Sequence, residues 1–184
     1  MKHPNLFQSY TFNNGVTVSN RLAVAPMTHL ASDDNGHITA EERQFLTDRF
    51  RGIGLFISAA TLVHEGGKAF YGQPEAIGTE DLPSLREVAR IAHDQGAKAG
   101  GWQSIPELNP NGEIFAPSEH PETGAKALTE AQILSIIDGY GRAAELALEA
   151  GFDGVEIHGA NNYLIQQFFS AQSNRRSDAW GGSL

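Results

Sequence analysis

The sequence predicts an α/β fold in which parallel strands alternate with helices behind an N-terminal β-hairpin. Three observations carry this expectation. Short apolar runs alternate with stretches of helical period, two threonine capping boxes mark helix starts, and Asn14-Gly15 lies between two alternating segments.

Tyr10-Thr11-Phe12 and Val16-Thr17-Val18 alternate apolar and polar residues around Asn-Gly, the strongest short hairpin signal. Asn20 to Pro26 is an apolar run ended by proline, which costs a ladder hydrogen bond only at its end, and it reads as a buried first parallel strand. At Thr39-Ala40-Glu41-Glu42 the hydroxyl can cap the Glu42 amide while the Glu42 carboxylate reaches back. A helix is expected from there to about Arg51, before Gly52. Gly54 to Ala60 is apolar on both faces, as a parallel strand covered on both sides requires. The stretch from Thr61 to Asp81 reads as an extended loop. Pro83 to His93 places Leu85, Val88, Ala89 and Ala92 at helical spacing, with Gly96 set to stop the helix in a left-handed conformation. Ala97-Lys98-Ala99 begins a third strand. The second capping box, Thr129 to Gln132, opens a helix that Ile133, Ile136, Ile137, Tyr140, Ala144 and Leu148 continue up to Gly151. Phe152 to His158 is the fourth strand.

The chain has 184 residues, enough for one domain with a substantial core. A whole eight-stranded α/β barrel typically takes about 250. A formal net charge of -9 disfavours a nucleic-acid backbone, and the densest basic stretch is only Arg175-Arg176. Without cysteine there are no disulfides, thiolate zinc sites or cysteine-held iron–sulfur clusters, which fits a reducing cytosol. Met1 to Asn5 has no apolar signal core and no run approaches a membrane span, so a cytoplasmic protein is the expectation.

Two architectures accept this alternation, an open doubly wound sheet or part of a closed barrel. Dinucleotide-binding sheets usually carry G-x-G-x-x-G after the first strand, whereas Pro26-Met27-Thr28-His29 contains no glycine. In both architectures ligands sit beyond the carboxyl ends of the strands, here after Val24, Ile57, Ala99 and Ile157. At the end of the fourth strand and just beyond it, His158 and Asn161 each offer a hydrogen-bond donor, which is what polarising a carbonyl oxygen requires. Tyr163 could deliver a proton nearby. The three point into one site if a helix begins just after Gly159; the same residues would also serve as a core histidine, a helix cap and ordinary packing.

His158-Gly159-Ala160-Asn161-Asn162-Tyr163-Leu164-Ile165-Gln166-Gln167-Phe168, followed by Ser170 and by Asn174 to Ser183, closely resembles the Old Yellow Enzyme family of FMN-dependent oxidoreductases. Asn20 to Thr28 is similar to the same family's flavin-binding opening. The resemblance covers essentially the whole chain and implies the N-terminal half of a TIM-type (β/α) barrel. Residues 1–184 form a single domain in this reading, with 1–19 as a hairpin lid and 20–184 as β/α units one to four. It implies FMN as cofactor, NADH or NADPH as reductant, and a small-molecule activated alkene as substrate; charge, hydropathy and histidine spacing add the expectation of no nucleic acid, membrane or metal. Ala25, Pro26, Met27 and Thr28 would lie against the flavin, the Thr28 hydroxyl near its carbonyl edge. Ala60, at the end of the second strand, would match a small residue that lets the backbone approach the ring, and Gln103 a glutamine that reaches the flavin pyrimidine. His158 and Asn161 match the pair that hydrogen-bonds the substrate carbonyl. Tyr163 matches the residue that protonates the α-carbon after hydride reaches the β-carbon.

The third strand departs from the family pattern, because Gly100-Gly101 replaces a continuous apolar run and should weaken it, so a local deletion or rearrangement is expected around this point. Ala171 stands where a proline is usual and Trp180 where a tyrosine is usual. Barrels of this kind often hold a cofactor phosphate with the loops after strands 7 and 8, so 184 residues alone are expected not to retain FMN tightly, and a half barrel leaves its first and fourth strands as unpaired edges that invite association. The second reading is therefore a non-catalytic module that associates with itself or with a C-terminal half barrel. A third, a metal-dependent hydrolase, would use the histidines, but His64-Glu65-Gly66-Gly67-Lys68 lacks the second histidine a metal-binding helix places four residues on.

Overall fold

The fold is known from a computed structural model, which describes residues 2–104 and 113–182, the stretch 102–104 by its backbone only. The hairpin forms from β1 (Tyr10–Thr11) and β2 (Thr17–Val18), paired antiparallel. The Phe12 amide donates to Val16 O at 2.8 Å and Gly15 adopts φ +89. The connection is therefore a three-residue loop whose glycine supplies the left-handed position, not a two-residue turn.

Four parallel strands make the main sheet: β3 (Ala23–Val24), β4 (Leu55–Leu62), β5 (Lys98–Ser104) and, after the short pair β6 (Phe115–Ala116) and β7 (Lys126–Ala127), β8 (Gly154–Ile157). Their spatial order is β3-β4-β5-β8, the order in which the chain makes them. A doubly wound sheet reverses direction at a switch point, and this one does not, so the barrel arrangement is the one formed. Each main strand is followed by a helix: α1 (Ala40–Leu46), α2 (Leu82–Asp94), α3 (Glu130–Ala150) and α4 (Leu164–Phe169). The core lies between sheet and helices, joining Phe56 and Ala99 to Leu85, Ala89, Ala143 and Ala147. Alanines at these positions let α2 pack closely against α3. Among the described residues no helix is long and apolar enough to cross a membrane.

The local signals have different outcomes. Gly96 ends α2 with φ +85, as expected, and the Thr129 capping box forms in both directions, Gln132 N–H to Thr129 Oγ1 at 3.3 Å and Thr129 N–H to Gln132 Oε1 at 2.9 Å. At Thr39 only half forms: the hydroxyl caps the Glu42 amide at 3.1 Å, while the Glu42 carboxylate turns inward instead of reaching back. α1 stops at Leu46 and does not reach Arg51. Asp48 takes a left-handed conformation, and the Gln95 side chain donates to Leu46 O at 3.0 Å and accepts from Phe50 N–H at 2.7 Å. Those bonds satisfy groups that a further helical turn would have paired. β4 runs to Leu62, so Ala60 lies inside the strand and not at its end. The segment beyond it contains two 3₁₀ turns, Glu65–Gly67 and Thr79–Asp81.

β5 passes through Gly100-Gly101 without interruption, paired to β4 on one side and β8 on the other. Two ladders hold a central strand, and they offset what the glycines lose in conformational entropy. The register irregularity falls instead on the β4 side, between Ile57 and Ala60. A methyl group on Gly101 would meet Phe152 Cδ1 and Val155 Cγ1 at 3.9 Å, ordinary contact. Gly101→Ala is accordingly expected to stabilise the fold by about 0.5–1 kcal/mol, read from the urea midpoint.

At the amino ends of the strands Asp153 accepts from the Ala99 amide at 3.0 Å and pairs with His93 and Lys98, each at 2.8 Å. Burial opposes its ionisation, but the bonds from Lys98, His93 and Ala99 outweigh it and hold the carboxyl below its ordinary 3.8. A lowered carboxylate contributes stability above the unfolded pKa and loses it as pH falls through the folded value. Asp153→Asn should thus cost stability at pH 6 and progressively less as pH falls below 3.8, measured by urea unfolding across that range. Phe12, Asn14 and Val16 line a cavity of about 200 Å³ with Lys98, Asp153 and Gly154, so the hairpin sits at the end of the sheet opposite the carboxyl ends of the strands.

Candidate active site

Strand register sets the level of the site. Thr61 pairs with Gln103 and Gln103 with Ile157, so Ala60, Gln103 and His158 lie within one residue of a common level on three adjacent strands. Ala25 to Thr28 follow β3 at the same, carboxyl end of the sheet. Within that segment Met27 is 69% exposed, Ala25 and Thr28 are exposed, and Pro26 is half-buried. Ala60 is buried. The Gln103 side chain, like Ser183 of the C-terminal motif, lies outside the described residues.

The residue after Thr28 is tied to the core. His29 Nδ1 accepts from the Ala31 amide at 3.2 Å, which leaves Nε2 to donate to Glu42 Oε1 at 3.1 Å. The Glu42 carboxylate, 2% exposed, also accepts from Ser32 Oγ at 2.9 Å. This buried network anchors the segment that leaves β3. Sequence reasoning missed it because the capping-box pattern already supplied Glu42 with another partner.

His158 follows β8 directly and is buried. Burial pushes its imidazole below the ordinary 6.5, against a smaller upward effect of Glu156, so the ring is neutral at pH 7. A neutral imidazole donates from one nitrogen only. No helix begins after Gly159; α4 starts at Leu164 with Tyr163 at the capping position. Asn161 and Asn162 instead take φ +56 and +59, two consecutive left-handed residues that asparagine tolerates better than most. That turn brings the Tyr163 ring to 4.9 Å from the His158 ring, inclined at 60°. Tyr163 is 37% exposed and Asn161 lies exposed on the same loop. The carboxyl end of β8 thus holds a buried imidazole, a phenol in ring contact with it and an exposed amide. Elsewhere, His64 approaches Ser135 Oγ at 3.1 Å, and no group of three or more His, Cys, Asp or Glu among the described residues could hold a metal ion.

Residues 5–184 match the model of the NADH:flavin oxidoreductase / NADH oxidase family. The chain belongs to this family. Among its curated relatives, the probable NADH-dependent flavin oxidoreductase YqiG of Bacillus subtilis is 45% identical over 191 positions, covering 99% of this chain and 51% of the relative. The probable flavin mononucleotide-dependent alkene reductase of Leishmania infantum is 35% identical, covering 92% of this chain and 53% of the relative. The chain therefore spans about half the length of these two relatives. Among solved structures, the Old Yellow Enzyme homologue from Zymomonas mobilis superposes with a TM-score of 0.86 at 29% identity, covering 98% of this chain and 55% of that one. The sheet β3-β4-β5-β8 is thus part of an Old Yellow Enzyme barrel, unclosed within this chain. In the family's terms, the exposed segment after β3 and the loop after β8 both open on the ligand-bearing end of the barrel.

Proposed function

We propose that this chain supplies the cofactor-facing and substrate-polarising side of an FMN-dependent, NAD(P)H-driven reductase of activated alkenes. The contact between His158 and Tyr163 at the carboxyl end of β8 carries this reading. The described residues fit a flavin, since Ala25, Met27 and Thr28 are exposed at the carboxyl end of the sheet and the small, buried Ala60 lies toward the same end of the neighbouring strand. When bound and reduced by NADH or NADPH, FMN supplies hydride to the β-carbon of the alkene. The neutral His158 N–H and the Asn161 amide donate to the substrate carbonyl oxygen, where negative charge builds as hydride arrives. Tyr163 gives its hydroxyl proton to the α-carbon and, being partly exposed, is reprotonated from solvent. The Thr28 hydroxyl and the Gln103 amide have the chemistry to hydrogen-bond the polar edge of the flavin ring.

The test is a chimera joining residues 1–184 to the part of the Bacillus subtilis relative beyond the matched region. It should bind FMN and reduce a cyclic enone with NADH or NADPH. An FMN-bound, folded chimera that reduces no activated alkene would sink the reading. The second reading, association with another half barrel or a second copy, is favoured by Ile157, 58% exposed on β8. It is also favoured by an apolar groove of about 690 Å³ lined by Ile136, Ile137, Phe168 and Trp180. Sedimentation of the 184-residue chain with a visible spectrum separates the two, a colourless dimer supporting association.

A further inference from the structure

We infer that Gln166 and Gln167 are positioning residues that grip the backbone of Asn162 from both sides and thereby hold Tyr163 against His158. The inference rests on the reading of His158 and Tyr163 as a working pair. Asn162 N–H donates to Gln166 Oε1 at 2.7 Å, and Gln167 Nε2 donates to Asn162 O at 2.7 Å. Both polar groups of one residue are thus taken by two consecutive side chains of α4. Asn162 is the second of the two left-handed residues that replace the expected helix start, a backbone conformation that asparagine can enter but that two in succession keep more firmly when their surroundings support it. The grip is itself anchored: α4 buries Leu164 in the core, Gln167 N–H bonds Tyr163 O at 2.9 Å, and Ser173 Oγ donates to Gln167 O at 2.8 Å. If either side chain lets go, the turn is free to leave the left-handed region. Because Tyr163 comes next in the chain, its ring then moves off the imidazole.

The two glutamines act with opposite polarity, and this makes the role testable. Gln166 is used as an acceptor, which a glutamate carboxylate replaces; Gln167 is used as a donor, which a carboxylate cannot replace and would set against the Asn162 carbonyl. The experiment compares Gln166→Ala, Gln166→Glu and Gln167→Glu in the ¹⁵N-labelled 184-residue chain. The readouts are exchange of the Asn162 amide with solvent and the magnetisation transfer between the His158 and Tyr163 rings. Gln166→Ala should speed exchange about tenfold and weaken the ring signal, while Gln166→Glu keeps both near wild type. Gln167→Glu should weaken the ring signal. Were Gln166→Ala not to fold, the contrast between the two glutamate variants would still decide. Unchanged exchange and ring signal in folded Gln166→Ala, or the same behaviour from both glutamate variants, would overturn the inference. In the chimera, Gln167→Glu should lower kcat at least tenfold with KM nearly unchanged, since misplacing a reacting group costs rate more than binding. A chimera that reduces no alkene would remove the proposed function, whereas the clamp stands or falls on the ring signal.

Discussion

Replacing Tyr163 by phenylalanine is expected to slow alkene saturation by about 10²–10⁴-fold while leaving oxidation of NADH or NADPH by the flavin unchanged. The substitution removes one oxygen and keeps the ring that lies 4.9 Å from His158, so the loop geometry is preserved and only proton delivery is lost. Rapid mixing of the FMN-loaded chimera resolves the two half reactions. A loss below about tenfold would transfer the proton step to solvent or to another group. Removing a charge-stabilising donor acts elsewhere: His158→Ala should cost about 10²–10³-fold in kcat, through the developing negative charge on the carbonyl oxygen. Because burial holds the His158 imidazole below 6.5, the imidazole is neutral across the neutral range. Any change of rate that comes from protonating His158 should therefore lie below that pH and remain in the phenylalanine variant.

What could be read from the chain without its fold was whatever a residue does to its immediate neighbours. Thr129 and Gln132 satisfy each other within one helical turn, and Gly96 needs no partner to adopt its left-handed conformation. The alternation of strands and helices was legible too, but it left two strand orders open, and the sheet itself decides for the one without a switch point. Where a side chain had a distant partner, local reading failed. Glu42 offered itself as a reciprocal cap, but it is buried beside His29 and Ser32, where a carboxylate needs those donors more than the helix needs a second cap. The end of α1 is decided by Gln95, which lies far along the sequence. The site shows the same division. His158, Asn161 and Tyr163 became candidates through type and spacing together with a family resemblance, and the rings of His158 and Tyr163 do meet, yet the assumed helix start after Gly159 was wrong. The signal was present in the Asn161-Asn162 pair, because asparagine is among the few residues that enter the left-handed region readily. The role of Gln166 as acceptor and Gln167 as donor had no such signal, since it depends on which way two side chains fold back.

Phe56→Ala is expected to cost about 3–5 kcal/mol, a large share of the roughly 5–15 kcal/mol that holds a typical domain together. Phe56, the second residue of β4, is 5% exposed in the core and stacks on Phe50, 2% exposed, with centroids 4.0 Å apart and planes 24° from parallel. Phe50 belongs to the turn that Gln95 pulls away from α1, so its ring is fixed at the backbone before it meets Phe56. A partner held in this way cannot collapse into the space left by alanine, which places the cost toward the upper end for a buried aromatic deletion. With a urea dependence of about 1–3 kcal/mol per molar, the midpoint should fall by at least about 1 M. A fall under about 0.3 M with unchanged slope would mean that the two rings do not share one rigid core. The effect should also reach the site. Phe56 is the register partner of Val24, the last residue of β3 before Ala25 to Thr28, and β3 has β4 as its neighbour in the sheet. Loosening that edge should raise hydrogen exchange in residues 25–28 more than in the loop after β8, which is anchored through α4 and not through β4.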